Sequence, residues 1–207
     1  MGQSPGIQLW FDFGSNYCYP AVMRVGALAR AAGVHVHWRP FLLGPVFKAI
    51  GWNTPPLFAH PAKAGYVWRD MERRCRRHGL PFRQPDVFPR RALLPMRLAT
   101  IAASEPWMEA FCQRTMLALF THDRDIDRDE VMHEVLDGLR LPARSLLAAA
   151  NAPAARSALR ALTGQALDRG IFGAPTMFAG TEMFWGDDRL EDAISWAISG
   201  GSDADPS

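Results

Sequence analysis

A serine stands at a strand-to-helix junction in the stretch Phe11-Asp12-Phe13-Gly14-Ser15-Asn16-Tyr17-Cys18-Tyr19. Backbone N–H groups at a helix start point outward and favour negative charge. A thiolate held at that point would be stabilised, and the Ser15 hydroxyl could give it a hydrogen bond. Serine is also a common helix N-cap, and the two uses are compatible.

Three further stretches carry polar groups that could serve a ligand. Gly173-Ala174-Pro175-Thr176 opens a strand. A proline there suggests a cis peptide, whose turn would present the Ala174 N–H and C=O to a peptide-like molecule. An ordinary loop proline would read the same. In Phe184-Trp185-Gly186-Asp187-Asp188-Arg189-Leu190 two carboxylates precede a helix. They could complement the helix dipole or hold a ligand's ammonium group. In the fourth stretch, Arg39-Pro40-Phe41-Leu42-Leu43-Gly44 leads to Lys48, with Asn53 beyond it. Lys48 is one of only two lysines in the chain. Its neighbours are apolar, although a solvated surface lysine is the plainer reading.

Other groupings carry less. His35 and His37 lie two apart on a strand and so share a face. They have no third metal ligand nearby in sequence, and no metal is expected. Asp123, Asp125, Asp127, Asp129 and Glu134 have several offsets of a calcium loop, but Arg128 occupies the place where the turn needs glycine. Helix capping by Asp127, with Glu130 three residues on, is the simpler account. The basic run 69–77 contains Met71 and Cys75 and reads as an amphipathic helix with a solvated face.

The elements that would position these residues fall into three parts. Residues 7–13 alternate as a strand that ends at Gly14. Residues 20–32 read as a helix closed by Gly33, with Pro20 tolerable in its first turn. Residues 34–39 form a second strand stopped by Pro40. A right-handed crossover would make the two strands parallel. The middle of the chain is helical in spacing at 66–78, 92–103, 107–120 and 129–139, with no strand signal of comparable quality. The last part resumes with a helix over 154–170. A hairpin of 175–179 and 182–185 follows around Gly180-Thr181, and then a closing helix over 189–198. The polar tail 200–207 is expected to fray. This order is that of an α/β, thioredoxin-like fold with an inserted all-helical domain. Residues 1–41 and 152–207 would form the discontinuous thioredoxin-like domain, and 42–151 the insertion.

Composition narrows the classes. The chain has 207 residues, 48% of them hydrophobic, and a net charge of +2 from 23 basic and 21 acidic side chains. It can bury a sizeable core, and neither a nucleic-acid nor a membrane-surface partner is indicated. No apolar run approaches the roughly 18 residues of a membrane span, and no secretory signal is visible. Cys18, Cys75 and Cys112 are odd in number and far apart. That suits a reducing cytoplasm and argues against a disulfide framework.

Taken together, the four stretches resemble the 2-hydroxychromene-2-carboxylate isomerases, which belong with the kappa-class glutathione transferases. The likeness covers about 7–196. It rests on Phe11-Asp12 with Ser15, on Arg39-Pro40-Phe41-Leu42-Leu43-Gly44 followed by Lys48, on Gly173-Ala174-Pro175-Thr176, and on Phe184-Trp185-Gly186-Asp187-Asp188-Arg189-Leu190, in that order. It implies a thioredoxin-like domain with a helical insertion, related to the periplasmic disulfide oxidoreductases. It also implies glutathione as cofactor. Ser15 would favour the glutathione thiolate, Ala174 ahead of Pro175 would pair with the tripeptide backbone, and Asp187 and Asp188 would hold the γ-glutamyl end. Lys48 and Asn53 would lie near the glycyl end and the substrate. Asn16, Tyr17, Arg91 and Trp185 would complete the substrate pocket, with Trp185 a wall for an aromatic ring and Lys48 or Arg91 the cation for a carboxylate.

The implied activity is a glutathione-dependent cis–trans isomerisation of 2-hydroxychromene-2-carboxylate, or a close aromatic-degradation analogue, to trans-o-hydroxybenzylidenepyruvate. It would take place in a cytoplasmic homodimer. Asn16 stands where the family commonly has proline, and Arg91 where many relatives have asparagine. Ser15-Asn16-Tyr17-Cys18 is the relatives' CxxC with its first and more reactive cysteine replaced, so Cys18 is expected to be buried and inert. The alternatives are a kappa-like transferase or peroxidase with a hydrophobic electrophile, a thiol oxidoreductase using Cys18, and a non-catalytic peptide-binding module using the Pro175 loop.

Overall fold

The computed structural model of the chain describes residues 5–52 and 61–200. Strand β1 (Gly6–Phe11) runs into helix α1 (Cys18–Ala31) and then strand β2 (His35–Pro40). The two strands pair in parallel, Gly6 opposite His35 and Phe11 opposite Pro40. Pro40 is thus the last residue of the strand rather than the one that stops it. It ends an edge strand, where a missing N–H costs no ladder bond. Helix α1 closes at Gly33, whose φ of +65° lets the chain reverse.

Six helices follow among the described residues: α2 (Leu43–Ala49), α3 (Pro61–Arg77), α4 (Leu93–Ala102), α5 (Met108–Phe120), α6 (Asp129–Gly138) and α7 (Ala143–Asn151). Helix α3 turns Val67, Met71 and Cys75 inward, as its amphipathic pattern predicts. The sequence reading leaves out α2 and α7. Helix α2 carries Gly44 and Pro45 in its first turn, which mask a short helix. Helix α7 is short, lies between Pro142 and Pro153, and buries Ala143, Leu147 and Ala150 from an alanine-rich run.

Helix α8 (Pro153–Asp168) leads to the antiparallel hairpin β3 (Thr176–Ala179) and β4 (Glu182–Trp185). A 3-10 turn at Asp187–Arg189 and helix α9 (Leu190–Ser199) finish the fold. The sheet order is β2-β1-β3-β4, with β1 antiparallel to β3. This is a thioredoxin-like α/β fold with helices inserted between β2 and α8.

Side-chain alternation assigns the two faces. Ile7, Leu9, Phe11, Met177 and Phe184 share one face, where Phe184 meets Trp196 of α9. Gln8, Trp10, Thr176 and Phe178 share the other, where Arg169 from the end of α8 lies over Phe178. Both faces of β1 are covered, so Leu9 and Trp10 are buried alike. The core runs on without a break into the helices. Phe13 meets Phe111 of α5, and Tyr19 of α1 stacks on Phe120 at 5.3 Å.

Candidate functional site

Beyond the end of β1, the chain turns around a buried carboxylate. Asp12 Oδ1 accepts the Gly14 N–H and its carbonyl accepts the Ser15 N–H, at 2.8 and 3.0 Å. Its other oxygen, Oδ2, accepts the Leu43 N–H at the start of α2, 2.8 Å away. Burial raises the Asp12 carboxyl, against the pull of the Leu43 and Gly14 hydrogen bonds. One side chain therefore fixes both the loop that carries Ser15 and the helix that carries Lys48.

Ser15 does not cap α1. The N-cap is Tyr17, without a side-chain cap, and the nearly buried Ser15 hydroxyl instead donates to the Ala174 carbonyl at 2.9 Å. The cap reading fails because the turn starts two residues ahead of the helix. The Ala174–Pro175 peptide is cis. So is Phe88–Pro89, which the sequence reading does not anticipate. The Pro175 carbonyl accepts the Gly186 N–H at 3.0 Å, which draws Asp187 and Asp188 to the same place.

Asp187 is fully buried and gripped by Arg74 of α3. Arg74 Nε donates to Oδ2 and Nη2 pairs with Oδ1, both at 2.9 Å. Burial pushes the Asp187 carboxyl up, opposed by Arg74. Burial acts most strongly against the Arg74 charge, but the Asp187 hydrogen bonds and the charges of Asp187, Asp188 and Asp70 together outweigh it and hold the guanidinium proton above its usual range. The two-pronged geometry makes this an ion pair. Asp188, 3.8 Å from Arg74, keeps 53% of its side chain exposed. Tyr17 closes the cluster. Its hydroxyl donates to Asp70 at 3.1 Å, its ring lies 5.8 Å from Arg74, and burial together with Asp70 raises its phenol. Arg24 donates to the Asp187 carbonyl at 3.4 Å.

Ser15, Asn16, Tyr17, Ala174, Pro175, Asp187 and Asp188 are thus linked by a chain of direct contacts. The Asn16 side chain is buried beside Ser15, and its Nδ2 has no hydrogen-bond partner among the described residues. A buried donor left over in this way is costly unless something else accepts from it. Cys18 is fully buried. Burial raises its thiol to about 12, against the hydrogen bonds from Asp12 and Ser15. That pKa makes it a poor nucleophile at neutral pH.

No contact joins Lys48 or Arg91 to this cluster among the described residues, whereas Trp185 pairs with Thr176 beside the Pro175 loop. Lys48 is exposed at the end of α2, and Asn53 lies outside the described residues. Arg91 is 73% exposed and pairs with Asp127 at 3.2 Å. Trp185 is half exposed, 5.0 Å from Phe172, with its indole where a Gly173 Cβ would be. Asp127 caps a different helix from the one expected. Helix α6 starts at Asp129 with Arg128 as N-cap, and Asp127 Oδ1 accepts the Leu94 N–H of α4 at 2.7 Å. The His35 and His37 rings are 4.6 Å apart, as their shared face requires. Among the described residues no group of three or more metal-ligating side chains occurs.

Sequence reasoning missed Asp12, Asp70 and Arg74. The signal for the last two was present. They lie four residues apart on α3, flanking the buried line of Met71 and Cys75, within a run read only as a solvated basic face.

Residues 6–195 match the family described as the DSBA-like thioredoxin domain. The chain is 28% identical over 193 residues to a 2-hydroxychromene-2-carboxylate isomerase of Sphingobium xenophagum, covering 93% of this chain and 97% of the relative. It is 25% identical over 206 residues to glutathione S-transferase kappa 1 of Rattus norvegicus, covering 92% and 90% of the two chains. Among solved structures, a 2-hydroxychromene-2-carboxylate isomerase superposes with a TM-score of 0.84 at 26% identity, covering 92% of this chain and 93% of that one.

Proposed function

Because the chain belongs to the DsbA-like thioredoxin-domain family, and is similar over most of its length to 2-hydroxychromene-2-carboxylate isomerases, we propose that it is a glutathione-dependent cis–trans isomerase. Its substrate is 2-hydroxychromene-2-carboxylate or a close aromatic analogue. A cytoplasmic setting and a homodimer go with this reading.

One observation carries it. Ser15 and the partnerless Asn16 Nδ2 present two donors at the start of α1, beside the cis-Pro175 loop, while the only thiol there is locked in the core. Donors without a reactive cysteine fit a site that holds an anionic sulfur from outside the protein, and fit poorly with a dithiol exchange.

When bound, glutathione supplies a nucleophilic sulfur that adds reversibly to the conjugated double bond and so permits rotation before elimination. Ser15 would turn its hydroxyl from the Ala174 carbonyl to the sulfur and lower the thiol pKa. Asn16 Nδ2 would donate a hydrogen bond and accept none, favouring negative charge nearby. The Ala174 N–H has no partner among the described residues and would pair with a peptide carbonyl. Asp187 is already committed to Arg74, so the half-exposed Asp188 is the carboxylate open to an ammonium, and Arg74 beside it would face an α-carboxylate. Trp185 and Phe172 would flank an aromatic ring. Lys48 or Arg91 would hold the substrate carboxylate.

The test is the ultraviolet spectrum of 2-hydroxychromene-2-carboxylate with purified protein, with and without glutathione. Conversion only with glutathione, falling about a hundredfold in Ser15→Ala as expected for loss of one key donor, supports the proposal. Equal conversion without glutathione sinks it. A second reading, a kappa-like transferase acting on a neutral hydrophobic electrophile, is favoured by the exposure of Lys48 and the pairing of Arg91 with Asp127. Glutathione conjugation of such an electrophile, with no chromene turnover, would select it.

A further inference from the structure

The sheet face beneath α8 carries a second cleft that shares no residue with the Ser15 cluster. It measures about 210 Å3 and is lined by Gln8, Trp10, Arg39, Gln165, Asp168 and Arg169. That is smaller than the roughly 300–1,000 Å3 of sites for drug-sized ligands.

Its donors are Trp10, Arg39, Arg169 and the two glutamine amides, and Asp168 is its one carboxylate. Gln8 Oε1 accepts from both Trp10 Nε1 at 3.2 Å and Arg169 Nη1 at 2.6 Å. The oxygen is consumed in this way, so the Gln8 amide has its N–H groups left to offer. Arg169 otherwise rests on aromatic faces, 3.8 Å from the Phe178 ring centroid and 5.9 Å from that of Trp10. The Arg39 side chain makes no hydrogen bond or ion pair among the described residues, and its Nε is buried without a partner there. Asp168 is the one acid in the lining, and it pairs with neither arginine. Burial lowers the Arg169 pKa, and the Arg39 charge adds to the effect. Two guanidinium groups therefore line one cleft, and neither is paired with a carboxylate among the described residues.

We propose that this cleft binds a small oxyanion, phosphate or carboxylate in type, through Arg39 and Arg169 over the Trp10 indole. A planar guanidinium matches either group with paired hydrogen bonds. An anion there would also accept from the orphaned Arg39 Nε and relieve the repulsion between the two cations. The inference does not depend on glutathione or on the isomerisation.

Calorimetric titration of the full chain with inorganic phosphate and, separately, with malonate, at constant ionic strength set by chloride, tests it. Saturable binding at one site per chain is expected for at least one of them. Phosphate alone would indicate a phosphate-type ligand, malonate alone a dicarboxylate, and both a general oxyanion site. Arg39→Gln and Arg169→Gln should each weaken binding by about ten- to a hundredfold, as for loss of a charge-assisted pair, whereas Arg144→Gln on exposed α7 should not. Should the arginine variants fold poorly, Gln8→Glu places a carboxylate among the two arginines. It should raise the melting temperature and abolish binding. Linear heats with both anions, or unchanged affinity in Gln8→Glu, would overturn the assignment.

Discussion

Asp187 was expected to meet a ligand's ammonium group, yet it lies in the interior with Arg74 bonded across both oxygens. Breaking a buried pair from one side leaves an uncompensated charge, which costs about 3–5 kcal/mol when both partners are deep. Arg74 retains some solvent contact, so Asp187→Asn should destabilise the fold by about 3 kcal/mol at most, read as a lower urea midpoint. Asp188→Asn should leave stability unchanged and weaken glutathione binding. Cys18 makes the opposite case. Its thiol is buried and raised to about 12, so Cys18→Ala should keep glutathione-dependent turnover, and native protein should resist alkylation at this position. Rapid labelling of Cys18 by iodoacetamide in the folded state would restore the oxidoreductase alternative. The residue types at Ser15, Ala174, Pro175, Asp187 and Asp188 were legible because each sits in a short stretch of distinctive order. Arg74 was not, because its partner lies 113 positions away in the chain.

Helices here borrow their caps from neighbours. Helix α4 has no cap of its own, and Asp127 supplies an acceptor to Leu94 while also holding Arg91. Removing a helix cap costs about 1 kcal/mol. Asp127→Ala should lower stability by that amount and release Arg91, and a changed affinity for a carboxylate substrate would show whether Arg91 reaches it. Asp12 joins β1 to α2 in the same manner. Gly173 marks a close contact between elements, since a methyl group there would strike the Trp185 indole. Gly173→Ala should displace Trp185 and alter tryptophan fluorescence while the global melting temperature changes little. Local sequence finds helices and strands through periodicity, but it cannot tell which helix a given aspartate will cap. That depends on the packing of elements far apart along the chain.

At the scale of the molecule, one hydrophobic core spans the sheet and the helical segment, and all three cysteines sit in it. Burial raises the Cys18 and Cys75 thiols to about 12 and the Cys112 thiol well above its usual range. An unfolded thiol ionises near ~8.5. The folded pKa is the higher one, so stability is intact below about pH 8.5 and is lost as pH rises toward 12, where only the unfolded state has released its protons. The Tyr19 phenol, raised by burial to about 12, adds in the same direction. Urea midpoints should therefore fall between pH 8 and pH 11. A flat profile would mean that the thiols are less enclosed than the core implies.

The sequence by itself determined the order of the strands and of most helices, α2 and α7 excepted, together with the parallel β1–β2 pair and the β3–β4 hairpin. These follow from local periodicity, turn chemistry and short ordered stretches. Only the tertiary structure decided that Ser15 bonds Ala174 instead of capping its helix, that Asp187 is matched by Arg74, that Asp127 serves α4, and that Arg39 and Arg169 line one cleft. Each of these joins groups from distant parts of the chain. Hydrogen-bond and charge partners are chosen by which groups burial brings together without water, and no local pattern encodes that choice.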